Sequence, residues 1–138
     1  MLSNTLVTNE VKDTSGTEVE FSRISTGPGR STVFAKVSET PNQPYRLTIS
    51  HSEIGTGADQ RRRSMVRFDK DIAGASGDSR AVTAYVVLDS PIGDLAATTE
   101  VKNVLANLMS FLATTGAATT VLFDCTGNGA VVLVNGDL

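Results

Sequence analysis

The sequence predicts an α+β fold in which an amino-terminal β-hairpin and an antiparallel sheet, about six strands together, precede a carboxy-terminal helix. Three observations carry that expectation. Three central segments alternate apolar and polar residues with a period of two, so each presents one side to a core and one to something polar. Breaks rich in Gly and Pro set these segments apart from each other and from earlier strand-like runs. After Pro91 the period changes to the three- and four-residue spacing of an amphipathic helix.

Residues 2–8 and 18–25 read as short strands joined through 9–16, where Asp13, Ser15 and Gly16 are turn formers. Beyond Gly27-Pro28-Gly29, residues 31–38 supply another strand, and a loop with Pro41 and Pro44 delivers the chain to residue 45. In 45–52, Tyr45, Leu47, Ile49 and His51 alternate with Arg46, Thr48, Ser50 and Ser52. In 61–69, Ser64, Val66 and Phe68 alternate with Arg61, Arg63, Met65, Arg67 and Asp69, which gathers the basic residues on one face. In 81–89, Val82, Ala84, Val86 and Leu88 alternate with Ala81, Thr83, Tyr85, Val87 and Asp89. An antiparallel sheet with one covered face is the simplest host for all three. The intervening stretches 53–60, with Gly55 and Gly57, and 71–79, with Gly74 and Gly77, read as mobile loops.

Thr98-Thr99-Glu100 has the form of a helix start, with a hydroxyl to cap free N–H groups and an acid near the positive end of the dipole. Val101, Val104, Leu105, Leu108, Met109, Phe111 and Leu112 then form an apolar stripe that must cover something. The tail supports two readings. The β-branched runs 119–125 and 130–135 around Thr126-Gly127-Asn128-Gly129 favour a hairpin on local propensity, and a second short helix competes with it.

A chain of 138 residues is expected to be one domain, 1–138, with no linker or repeat to divide it. Aromatics are only 5% of the residues, so the core is expected to rely on Val, Leu, Ile and Ala. A net charge of −3 argues against a surface wholly devoted to nucleic acid, but leaves room for a local basic patch. Cys125 is the single cysteine, so no internal disulfide and no structural metal site is expected, and no cofactor is expected either. The sequence has no apolar run of about 18 residues and does not open with a basic-then-apolar signal, so a soluble protein made in a cytoplasm, without a membrane partner, is expected.

Cationic, hydroxylated and aromatic groups on an open sheet suit single-stranded or looped RNA, because phosphates need charge and unstacked bases need a flat partner. Charge at the start of a strand also serves simply to keep an edge from aggregating, and Arg61-Arg62-Arg63 alone would not separate the two roles. No catalytic constellation is expected. His51 falls on the apolar face and reads as a hydrogen-bonded core histidine; Asp69 and Asp71 read as a strand end; Gly127-Asn128-Gly129 lacks the lysine of a phosphate loop. Two other classes remain to be weighed: a small cellular RNA-binding regulator, and a hydrolase with a pocket near His51.

The element order, together with Arg46-Leu47-Thr48-Ile49-Ser50, the run Arg61-Arg62-Arg63-Ser64-Met65-Val66-Arg67-Phe68-Asp69 and the 85–92 strand ending in Ser90-Pro91-Ile92, resembles the coat proteins of single-stranded RNA bacteriophages, the leviviral coat proteins. The resemblance spans nearly the whole chain, although each motif is short. It implies an interlocked obligate homodimer whose two sheets join edge to edge, and further assembly into an icosahedral virion in the bacterial cytoplasm. On that resemblance Leu105, Leu108, Met109 and Leu112 belong to the dimer interface. It also implies that the other sheet face looks inward and binds viral genomic RNA through Arg46, Thr48, Ser50, Arg63, Met65, Arg67, Thr83 and Tyr85, with repression of translation in some members. Arg46, Arg63 and Arg67 would neutralise phosphates, Thr48 and Ser50 would bond an extruded adenine, and Tyr85 would stack on an unpaired base. Met65 and Val87 depart from better-known patterns, being apolar where polar groups often sit. The 71–79 loop corresponds to the segments that meet around the shell's symmetry axes.

Overall fold

The computed structural model describes residues 2–94, 98–116 and 120–137. It falls into two compact units, the described parts of Met1–Thr8 with Glu20–Leu95, and of Asn9–Val19 with Ala96–Leu138.

The first unit is a six-stranded antiparallel meander in the order of the chain: β1 (Thr5–Leu6), β2 (Phe21–Gly27), β3 (Ser31–Lys36), β4 (Tyr45–Ile54), β5 (Arg61–Ala73) and β6 (Ser79–Pro91). The strand count and hairpin-first order agree with the sequence expectation; several boundaries do not. β1 shrinks to Thr5 and Leu6, opposite Ser22 and Phe21, and β2 is bulged between Arg23 and Ser25. At the other edge, β6 presents thirteen consecutive residues that pair only with β5 among the described residues.

The segment 71–79, read from the sequence as a loop, is mostly strand. Asp71, Ile72 and Ala73 pair with Ala81, Arg80 and Ser79, which leaves only residues 74–78 to turn. Gly74 N–H donates to the Asp78 carbonyl at 2.7 Å, and Gly77 N–H to the Gly74 carbonyl at 3.0 Å. Ladder bonds along an established hairpin outweigh the poor strand propensity of Asp69 and Asp71, so those residues lie within β5 and do not end it. The other presumed loop also shortens, because β4 runs on to Ile54. Its turn needs glycine at position 55, where φ is +82° and a Cβ would sit 2.8 Å from the Asp59 carbonyl oxygen.

One face of this sheet carries the core. Leu6, Phe21, Phe34 and Leu47 are buried, the two phenylalanines completely. The core therefore centres on aromatic rings, contrary to the expectation of an aliphatic one. Phe21 meets Tyr45 edge-on at 5.2 Å and Phe68 at 6.0 Å, tying β2 to β4 and β5. The Arg23 guanidinium stands 5.5 Å from the centre of the Phe34 ring and donates to the Leu2 carbonyl at 3.1 Å. Burying a phenylalanine side chain contributes about 1.5–3 kcal/mol, which makes Phe21 and Phe34 the main anchors of this end of the sheet. Toward β6 the same face opens: Val66 is 41% exposed and Val82 53%.

The second unit contains α1 (Thr99–Ala113) and α2 (Asn128–Asn135). The expected Thr98 cap does not form: its backbone is helical (φ −82°, ψ 0°), and no side-chain cap bond is made. Of the two readings left open for the tail, the short helix is the one found, over Asn128–Asn135; the run 119–125 begins on a residue outside those described, and 120–125 carries no strand. Packing overrides the β-branched propensity here. A Cβ on Gly127 would collide with the Leu112 carbonyl, and one on Gly129 would come within 2.5 Å of the Phe111 ring, so the glycines that suggested a turn are what let α2 approach the end of α1. Asp124 Oδ1 accepts the Thr126 N–H at 3.0 Å and hydroxyl at 2.6 Å just before this contact. In the 9–19 segment Asp13 plays the same part, accepting from Ser15 and Thr17, and these bonds hold its carboxyl below the usual carboxylate range.

Candidate nucleic-acid interface

The ladder of β4, β5 and β6 fixes which side chains share the face opposite the core, because directly paired residues of antiparallel strands lie on the same side. Its cross-strand rows are Arg46–Asp69–Thr83, Thr48–Arg67–Tyr85, Ser50–Met65–Val87 and Ser52–Arg63–Asp89. All eight residues expected from the sequence to meet RNA are therefore brought onto one surface. Tyr85 lies directly across from Arg67 and is 66% exposed, an aromatic plane open to solvent beside a cation. Arg62, as the alternation implies, is not part of this surface: it pairs with Glu53 in the ladder and belongs to the other face.

The electrostatics are not those of a bare basic patch. Arg67 donates from Nε at 2.9 Å and Nη2 at 2.7 Å to Asp69 Oδ1, which also accepts the Thr83 hydroxyl at 2.7 Å. The guanidinium first, and the hydroxyl second, hold the Asp69 carboxyl below the ordinary aspartate range. Arg46 is paired with Glu39 of the loop before β4, and Arg61 Nε with Asp89 at 2.8 Å. Asp71 adds a further carboxylate to the surface, so four arginines meet four acids. Arg63 is exposed and has no ion-pair partner among the described residues.

Sequence reading found the cations and missed their neutralisation. Asp69 was legible, since two residues along a strand from Arg67 is the same face; the Arg61–Asp89 pair required the register, and Glu39 required the loop. On the opposite face His51 is half-buried with Nδ1 2.9 Å from Ser64 Oγ, the hydrogen-bonded histidine the alternation predicts. Beyond it, Glu53 gathers Arg62 Nη2 at 2.9 Å and Arg30 Nη1 at 3.1 Å. Among the described residues no group of three or more His, Cys, Asp and Glu is placed to hold a metal, and no helix is long and apolar enough to cross a membrane.

No protein-family model matches the sequence, and neither does any curated protein. Solved structures do match. The coat protein of bacteriophage EMS014 aligns over 87% of each chain with a TM-score of 0.62 at 13% identity. The fold is that of the leviviral coat proteins. A virus-like particle of Wenzhou levi-like virus 4 aligns over 67% of this chain and 66% of its own, with a TM-score of 0.55 at 17% identity. A virus-like particle of bacteriophage AVE015 covers 86% and 80%, with a TM-score of 0.54 at 13% identity. Within this leviviral fold the apolar stripe of α1 is incompletely covered in the single chain: Leu105 and Leu112 are half-buried, whereas Leu108 and Met109 are exposed.

Proposed function

We propose that the chain is the coat protein of a single-stranded RNA bacteriophage, a structural and non-enzymatic protein that pairs with itself, closes into an icosahedral shell and meets genomic RNA on the β4–β6 face. The likeness to the EMS014 coat protein over 87% of both chains carries this reading. Two surfaces support the homodimer: the edge of β6, which pairs only with β5 among the described residues, and the incompletely covered helix stripe of Leu105, Leu108, Met109 and Leu112, which a second copy would cover. The virion is the place of action, assembled in the bacterial cytoplasm.

For RNA, Arg63 is the phosphate contact ready for use, with Arg46 and Arg67 available once their carboxylates are displaced. Thr48 and Ser50 offer hydroxyls at mid-surface to an extruded base, Met65 gives apolar contact between them and Val87, and Tyr85 stacks. Binding of a hairpin in the message would repress translation of whatever lies downstream. The experiment is electron microscopy of the purified recombinant protein, with the nucleic-acid content of the particles measured. Uniform closed shells containing RNA are expected. Discrete dimers at every salt and RNA concentration would exchange the coat reading for that of a cellular RNA-binding regulator.

A further inference from the structure

We propose that Asp69 is a built-in competitor for phosphate, occupying Arg67 so that RNA offering charge alone gains little from this arginine, while RNA offering an unpaired base as well displaces the carboxylate. The inference rests on the RNA reading of this face and deepens it. Asp69 Oδ1 is held from two directions: along β5 by Arg67, through Nε at 2.9 Å and Nη2 at 2.7 Å, and from β6 by the Thr83 hydroxyl at 2.7 Å. A phosphate approaching Arg67 wants the same N–H groups, so it binds only by exchange with the carboxylate. Exchange changes the salt dependence. A phosphate that meets a free arginine releases a counterion from the RNA, whereas one that expels Asp69 leaves that carboxylate to recruit a cation, and the two ions cancel.

The row Thr48–Arg67–Tyr85 puts the exposed ring directly across the ladder from the occupied guanidinium. A nucleotide whose base stacks on Tyr85 holds its own phosphate near Arg67, so exchange becomes local and no longer depends on the concentration of free RNA. Arg63 lacks a carboxylate partner among the described residues and serves any RNA, so the face carries one arginine for general attraction and one that responds to a displayed base.

The test uses the full chain and two probes of equal length, a single-stranded oligoadenylate and an abasic strand with the same phosphates. In Asp69→Asn the abasic strand should bind up to about fivefold more tightly at low salt, the range set by releasing one exposed ion pair. The slope of log affinity against log salt should steepen by about 0.7, one single-strand phosphate. The preference for oligoadenylate over the abasic strand should narrow. Two comparisons separate release of Arg67 from mere loss of negative charge. Asp71→Asn removes a carboxylate of the same face that holds no arginine among the described residues and should give a smaller gain, and adding Arg67→Ala to Asp69→Asn should abolish the gain. If the amide variant does not fold, Asp69→Ala gives the same comparison. Parent and Asp69→Asn binding both probes alike, or Asp71→Asn giving an equal gain, overturns the competitor role while leaving the RNA face in place. Failure of every variant, parent included, to bind either probe removes the RNA reading and this proposal with it.

Discussion

Replacing Phe21 by leucine tests whether the ring contacts, and not just apolar volume, hold the sheet together. Leucine keeps most of the burial at this fully enclosed position but removes two edge-on partners, Tyr45 at 5.2 Å and 71° and Phe68 at 6.0 Å and 66°. Such pairs are worth about 0.5–1.5 kcal/mol each beyond area burial, so Phe21→Leu should lose about 1–3 kcal/mol. Phe21→Ala adds a cavity and should lose about 3–5 kcal/mol. With a urea dependence of about 2 kcal/mol/M, the leucine variant's midpoint falls by about 0.5–1.5 M, read by circular dichroism at one fixed protein concentration because the proposed association would contribute to stability. A midpoint within about 0.2 M of the parent would show that the rings act only as volume. The outcome bears on the proposed RNA surface, since Phe68 lies between Arg67 and Asp69 in the chain and Tyr45 precedes Arg46; a slack core would let those side chains drift on the far side of the same strands.

Tyr85→Ala should weaken single-stranded RNA binding by about 1–3 kcal/mol while Tyr85→Phe retains most of it; equal losses in a filter-binding titration would exclude stacking. Gly129→Val should cost about 1–3 kcal/mol by driving a side chain into the Phe111 ring, seen as a lower melting temperature and reduced helical signal. Glu53 is held below the ordinary glutamate range, first by its hydrogen bond from Arg62 and also by Arg30, so its contribution is present above the unfolded-chain value and lost as pH falls through the folded one. Glu53→Gln should therefore melt below the parent at neutral pH, with the gap closing below about pH 4; a gap independent of pH would deny the ion pairs a role.

The strands of the face were legible because a period of two needs only local sequence, and the pairing Thr48–Arg67–Tyr85 realises what the alternation implies. What stayed hidden depends on long-range geometry. The extension of β5 through Asp71 rewards backbone pairing that no single-segment propensity reports, and the tail helix depends on Gly127 and Gly129 meeting Phe111 and Leu112 across about sixteen residues of chain. Neutralisation of the arginines had mixed visibility: Arg67–Asp69 follows from spacing, Arg61–Asp89 from register, and Arg46–Glu39 from the path of a loop. Composition pointed away from the aromatic core because few rings are present, yet Phe21 and Phe34 are the side chains most completely withdrawn from water.

The two borders of the sheet differ in a way that limits how many copies can add to it. On one side a two-residue strand and a bulge spoil the template, while on the other thirteen consecutive residues pair only with β5 among the described residues. If both borders were adhesive, copies would add head to tail without end, the geometry of a fibre; with one blunted, like would meet like across a twofold axis and no template would remain. In the proposed assembly, growth by strand addition would thus stop at a pair, and any larger object would have to be built by other surfaces.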